Sequence, residues 1–339
     1  MTAASEQSGQ RQHLPELDGF RALSILAVLA AHMLPLGPSE WRLNTMSGVM
    51  GMSAFFCLSG FLITQFLWVR PDIPAFLIRR VGRIVPLILL ASTVFCLIVE
   101  YRPDSFWAIN LYYFNYADEA IFEGLSPLWS VALEMHFYFA IALAILLLGR
   151  RGFILVPIAA LLITGIRVSE EVFTSIRTHL RVDEILSGSL LALVWLNRDA
   201  HAIAARIATI LGRSFYPALI LWALSCSPFF ETLAYARPYL AAALIGSILF
   251  SQGTIWHRFL STRTMAYLAA ISFALYVWHS PFRVGWFAGE DTLDRYLIKR
   301  PIGFAATFLL AHLSTFYFER YFNDLARKVT SPRPAAQQA

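Results

Sequence analysis

The sequence predicts an all-α polytopic membrane protein, a bundle of about ten transmembrane helices. Three observations carry this. Hydrophobic side chains make up 58% of the 339 residues and charged ones only 14%, which is more apolar than a soluble surface tolerates. Apolar runs long enough to cross about 30 Å of hydrocarbon recur from end to end. Short clusters of Arg, Glu, Asp, Pro and Gly separate these runs.

In chain order, spans are expected near residues 19–37, 47–68, 83–101, 126–148, 152–167, 183–196, 213–230, 236–251, 266–288 and 300–321. The span at 183–196 is short, and the weakly apolar stretch from Ala202 to Ile210 could lie in the interface, so nine or eleven spans remain open. These spans form one membrane domain over residues 16–322, because the longest loop, 102–125, is too short to build a soluble core. Residues 1–15 and 323–339 read as disordered cytoplasmic tails. No signal segment with a cleavage site is expected ahead of the first span.

Orientation follows from the arginines, since cytoplasmic loops are enriched in Lys and Arg. Connections holding Arg70, Arg79, Arg80 and Arg83, then Arg150 and Arg151, then Arg198, Arg206 and Arg213, then Arg258 and Arg263 alternate with acidic ones. The acidic connections hold Asp104, Asp118, Glu119 and Glu123, then Glu231, then Glu290, Asp291 and Asp294. Both termini are therefore expected in the cytoplasm. The connection with Arg167, Glu170, Glu171, Arg177 and Arg181 breaks the pattern, being mixed in charge where the alternation puts it outside. Topology accounts for the net charge of +5, and no basic run with interleaved aromatics suggests a nucleic-acid partner. Cys57, Cys96 and Cys226 fall inside apolar spans, without disulfide or metal-ligand spacing, so no metal is expected.

The first span, "LDGFRALSILAVLAAHMLP", carries charge where lipid would exclude it. Arg21 and His32 have ten residues between them, and eleven steps of about 100° bring both to one helix face, about three turns apart. Asp18 precedes Arg21 by one turn on that face and can hold its guanidinium. The face lines a cavity on one reading. On the other, Asp18 and Arg21 are interfacial anchors and His32 is a hydrogen-bonded core residue.

That span resembles the first span of the bacterial acyltransferase-3 family, in which Arg or Lys is followed by ten residues and then His. Further blocks match in the family's order: "GVMGMSAFFCLSGFLIT", "FLIRRVGRIVPL", "LWSVALEMHFY", "ISFALYVWHSPF" and "YFERYF". The resemblance runs from about residue 15 to 322. It implies a multi-pass protein of the bacterial inner membrane that O-acylates a saccharide or glycolipid acceptor, with acetyl-CoA or another acyl-CoA as donor. Where members often carry two adjacent acids, this chain has Glu134 followed by Met135 and His136, so no role for a second acid carries over. The esterase-like domain fused to some members is not expected here.

Acyl transfer from a thioester to an alcohol needs a base, and positive charge or donors where the carbonyl oxygen turns negative. His32 suits the base. Arg21, about 16 Å away along an unbroken helix, suits the anionic part of a donor whose pantetheine arm reaches His32. Arg80 and Arg83, one turn apart, can grip phosphates, although positive-inside anchoring alone also places arginines there. Arg79 reads as an anchor.

Glu134 needs a cavity or a partner inside an apolar span, and pairing with His32 or a structural salt bridge are both open. His279 precedes Pro281 and should sit where a helix ends or kinks, lining a cavity or packing. Trp129 and Tyr276 are belt residues or cavity walls. Gly48, Gly51, Ser53, Ser59 and Gly60 read as close-packing positions. The rival reading is a transporter that uses the intramembrane Arg, His and Glu for substrate or protons, against which stands the lack of two matching halves.

Overall fold

A computed structural model describes residues 13–251 and 253–331. The expectation of flexibility for the first dozen residues, and for the end of the chain beyond 331, lies outside the described residues. Among those described there are helices and no strands.

The α-helices follow in order: α1 Pro15–Met33, α2 Leu43–Val69, α3 Ile73–Ser92, α4 Pro103–Asn110, α5 Trp129–Leu148, α6 Leu155–Ser169 and α7 Asp183–Asn197. Then come α8 Ala202–Leu211, α9 Phe215–Ser225, α10 Arg237–Leu249, α11 Ile255–Leu260, α12 Arg263–Trp278, α13 Arg300–Leu313 and α14 Arg320–Thr330. Wider π turns extend α3 to Val99 and join α13 to α14.

Prolines set several of the ends. α1 stops at Met33 because Leu34 precedes Pro35 and is extended. α12 stops at Trp278, with His279 as its C-cap and a short turn at Pro281–Arg283 beyond. Asp72 caps α3 by accepting from the Ala75 amide at 3.1 Å. A positive φ of 57° at Gly149 breaks the helix between α5 and α6.

A helix stands at each of the ten expected spans, and those long and apolar enough to cross lipid on their own are fewer. By length and composition, four stretches among the described residues qualify: Ser39–Val69, Ile73–Val99, Ser126–Ser169 and Asp294–Thr330. A fifth qualifies if α8 and α9, bent by 79°, count as one span. The others miss for two physical reasons. α7, α9 and α10, with 15, 11 and 13 residues, are about 16 to 22 Å long. α1 is long enough but carries Glu16, Asp18 and Arg21 in its first two turns. Short or charged helices persist at membrane depth only where protein covers them, and α1 lies against α2, α11 and α12, while α7 lies against α2, α6 and α10.

The chain after residue 322, expected as a loose tail, is instead helical to Thr330 and packs on α3. Its Ala326 lies where a Cβ on Gly82 would come within 2.9 Å. The mixed-charge connection also has an explanation. Arg167 and Arg181 are buried, Arg167 on Asp183 at 2.5 Å and Arg181 on Glu184 at 3.3 Å, with Arg237 adding a 2.9 Å contact to Glu184. Neither arginine is an exposed loop charge of the kind that sets topology.

The α2·α7 contact is the closest approach in the bundle core. A Cβ on Gly60 would collide with the carbonyl oxygen of Ile185, and one on Gly188 with that of Cys57. Here the small residues do what their spacing suggests. Gly60→Ala should therefore lower the thermal stability of the detergent-solubilised protein, by about 1 to 3 kcal/mol. Gly165→Ala on α6, where a Cβ meets nothing within 4 Å, should leave the melting curve in place or raise it slightly.

Candidate active site

α1 presents its two ionisable ends to two different recesses. At its C-terminal end His32 borders a cavity of about 530 Å³. The wall also includes Asn44, Thr45, Ser126, Trp129, Thr174, Arg181 and Tyr276. At its N-terminal end Arg21 meets Arg80 and Arg83 of α3 in a cleft of about 30 Å³, with Ser59, Glu134 and Tyr138. Arg80 and Arg83 also border an adjoining recess of about 190 Å³ with Phe66, Phe76, Arg79, Asn323, Ala326 and Arg327.

The imidazole of His32 does not meet Glu134. Its Nδ1 lies 2.8 Å from Nε2 of His279, with the two rings within 6° of parallel. Nδ1 of His279 lies 2.7 Å from the carbonyl oxygen of Tyr276, and a carbonyl can only accept. The proton of neutral His279 is therefore on Nδ1, so its Nε2 accepts. His32 must donate through Nδ1, and its own Nε2 keeps a lone pair. A tautomer is thus set by a chain of two hydrogen bonds that starts at the broken end of α12, where the Pro281 turn brings His279 against α1. His279 is fully buried.

Glu134 belongs to the arginine end. Its carboxylate accepts from the hydroxyls of Ser59 and Tyr138, and it shares the cleft with three guanidinium groups. The suggested pairing of Glu134 with His32 is corrected accordingly: the residue that orients His32 is His279. Ser59 is corrected too, from a close-packing position to a partner of this carboxylate. Asp18 sits as expected, 3.8 Å from Arg21, and also bonds His13 at 2.8 Å. Arg80 lies over the rings of Tyr138 and Phe76 at 5.3 and 5.7 Å, which holds it over the cleft. Arg79 donates to Thr330 at 2.7 Å, tying α3 to α14.

Trp129 and Tyr276 are cavity walls. The Tyr276 hydroxyl donates to the carbonyl of Pro127 and shares a 2.6 Å hydrogen bond with Ser130. Its ring stacks on Phe55 with centroids 6.4 Å apart. Phe55 borders the arginine cleft and Tyr276 the histidine cavity, so this ring pair stands between the two recesses. His136 points away, to Thr178 at 2.8 Å. Among the described residues, no group of three His, Cys, Asp or Glu side chains can hold a metal ion.

Sequence reasoning missed Arg181, whose guanidinium lies over Trp129 at 5.4 Å and borders the histidine cavity. The signal was present as Asp183 and Glu184 opening an apolar helix, a pair of acids that needs cationic partners nearby.

α1 thus carries an imidazole at one end, beside the histidine cavity, and meets a cluster of three guanidinium groups at the other. The chain belongs to the acyltransferase-3 family, whose acyltransferase domain matches residues 14–320. It is similar to the peptidoglycan O-acetyltransferase OatA of Listeria monocytogenes, at 25% identity over 91% of this chain and 56% of that protein. It is also similar to the O-acetyltransferase OatA of Staphylococcus aureus, at 24% identity over 80% of this chain and 51% of that protein. The chain spans about half the length of these curated relatives. No solved structure matches it.

The relay has a direct test. His279→Ala removes the acceptor that His32 Nδ1–H needs, so on the acyl-transfer function proposed below the rate should fall at least about tenfold while donor binding is unchanged. Steady-state transfer rates and donor titrations on the same preparation measure both, and a rate equal to the native one would reduce the pair of rings to packing.

Proposed function

We propose that this chain is an integral-membrane O-acyltransferase that moves an acyl group, acetyl on the pattern of its named relatives, from cytoplasmic acyl-CoA to a hydroxyl of a sugar or glycan acceptor. The observation that carries the reading is the hydrogen-bond chain from Tyr276 through His279 to Nδ1 of His32, a residue on the wall of the larger cavity, which leaves Nε2 of His32 as its accepting nitrogen. Membership of an acyltransferase family favours this over the transporter. The protein sits in the bacterial inner membrane with both termini in the cytoplasm, as the arginine-rich connections indicate.

The donor's phosphates bind Arg21, Arg80 and Arg83, where guanidinium forks match phosphate geometry. Glu134, held by Ser59 and Tyr138, keeps the three cations from repelling one another when the donor is absent. The pantetheine arm then runs beside α1 for the roughly 16 Å that separates Arg21 from His32. It passes the Phe55–Tyr276 ring pair, which has to part for it. At the far end His32 Nε2 takes the proton of the acceptor hydroxyl. The alkoxide oxygen bonds to the thioester carbonyl carbon, the C–S bond breaks, and the leaving thiolate takes the proton back from His32. The acceptor departs as an ester and CoA as a free thiol.

Two substitutions separate these roles. Arg80→Ala with Arg83→Ala should weaken acyl-CoA binding at least tenfold with little change in expression or insertion, since two charge-assisted contacts are lost. His32→Gln should leave donor binding intact and lower transfer by about 10² to 10⁴, because glutamine cannot take a proton. A folded His32→Gln protein that releases CoA thiol at the native rate would end the base assignment.

Orientation is tested separately. Cysteines placed at Ser39 and Asp291 should react with an impermeant thiol reagent added outside intact cells, and one at Arg150 should not. The reverse labelling would put the arginine cluster on the side that lacks cytoplasmic donors.

A further inference from the structure

The buried ionic cluster beside the histidine cavity holds one positive charge more than its own balance requires. Arg167, Arg181 and Arg237 face Asp183 and Glu184, three cations against two anions. Arg167 pairs with Asp183 through Oδ2 at 2.5 Å, and Arg237 meets Glu184 at 2.9 Å. These two pairs are neutral together. Arg181 is the extra member. Its Nε approaches Glu184 at 3.3 Å and its Nη1 donates to the carbonyl of Ser175 at 3.0 Å. Its Nη2 makes no hydrogen bond to any described residue, on a side chain that is itself 4% exposed and borders the cavity.

An uncompensated guanidinium at such a depth is costly, and a structural network would be cheaper without it. The side chain is nevertheless held firmly. It lies over Trp129 at 5.4 Å and Phe56 at 6.0 Å, with two hydrogen bonds fixing its plane. No carboxylate borders the 530 Å³ cavity to neutralise it. Of the remaining wall, Thr45 offers a neutral hydroxyl and Trp129 an aromatic face, while Asn44, Ser126 and Thr174 are held by hydrogen bonds to Leu34, Glu123 and Arg237.

We propose that Arg181 selects an acidic acceptor, a saccharide bearing a carboxylate or a phosphate that pairs with the free edge of this guanidinium while a hydroxyl of the same sugar lies at His32. The proposal rests on the acyl-transfer reading for what happens to that hydroxyl, and on the charge balance and geometry of the cavity for the anion. A permanent cation that is already in place, desolvated and oriented matches a permanent anion on the ligand, and binding supplies the missing negative charge.

The test is a binding measurement without donor, on the full chain in lipid nanodiscs at low salt, with three probes: methyl β-D-glucoside, methyl β-D-glucuronide and glucose 6-phosphate. The native protein should bind at least one charged sugar about tenfold or more tightly than the glucoside, and whichever charged probe wins distinguishes carboxylate from phosphate. Arg181→Gln should erase that preference in the folded protein and leave glucoside binding as it was, with a lowered melting temperature because a buried ion pair and a hydrogen bond are lost. Arg181→Lys should keep part of it, a point charge without the fork. Equal affinity for charged and neutral probes in the native protein, no binding of either charged probe, or a preference that survives Arg181→Gln would overturn the proposal. The native comparison needs no variant to fold. Anion preference in a protein that transfers no acyl group would sink the enzyme reading alone, whereas transfer without anion preference would sink only this proposal.

Discussion

The constraint on which the structure depends is that an ionisable group away from water must have its partner supplied by the protein. Nearly every functional feature of this chain answers that demand in a different way. His32 finds His279, which in turn finds a backbone carbonyl freed by the end of α12. Glu134 finds two hydroxyls, in a cleft it shares with three guanidinium groups. Arg167, Arg181 and Arg237 share two acids. Because each solution draws on residues from distant parts of the sequence, the same contacts that make the charges tolerable also determine which helices lie together. α1, the most heavily functionalised helix, is wrapped by α2, α11 and α12 for this reason.

What could be read from the sequence was whatever depends on a single helix. The eleven-step spacing of Arg21 and His32 holds because α1 runs unbroken from Pro15 to Met33, and the Asp18–Arg21 contact and the helix stops at Pro35 and Pro281 are equally local. The gathering of Arg80 and Arg83 with Arg21 followed the family pattern. Pairings between helices were not legible. Glu134 and His32 both asked for a partner, and nothing in one dimension tells that Glu134 turns to Ser59 and Tyr138 while His32 turns to a residue 247 positions away. Apolar helices that face protein, such as α7 and α10, look the same in hydropathy as those that face lipid, so the sequence alone does not tell the two apart. Arg181 was discounted for the opposite reason: a loop with both signs of charge reads as solvated, although here it folds inward.

Separation of the two ends of α1 gives the chemistry its form. A single pocket containing three arginines beside the base would favour the protonated imidazole less, but would also bring the donor's phosphates to the place where the acceptor must bind. On the proposed function, spreading them along three helical turns would let each ligand be recognised by its own chemistry, phosphate on guanidinium at one end and sugar on an aromatic wall at the other. The length of α1 then becomes a ruler for the donor: a carrier with a much shorter arm than the roughly 16 Å between Arg21 and His32 would hold its thioester out of reach of the base.

The stacked rings of Phe55 and Tyr276 have a consequence for the cell that has nothing to do with acylation. A small arginine-lined cleft at one end and a larger, mostly apolar cavity at the other would, if joined, make one continuous path along α1. With the rings closed between them, the two recesses stay separate. In a chain that spans a membrane, keeping such recesses apart would keep its interior from becoming a path for water and ions.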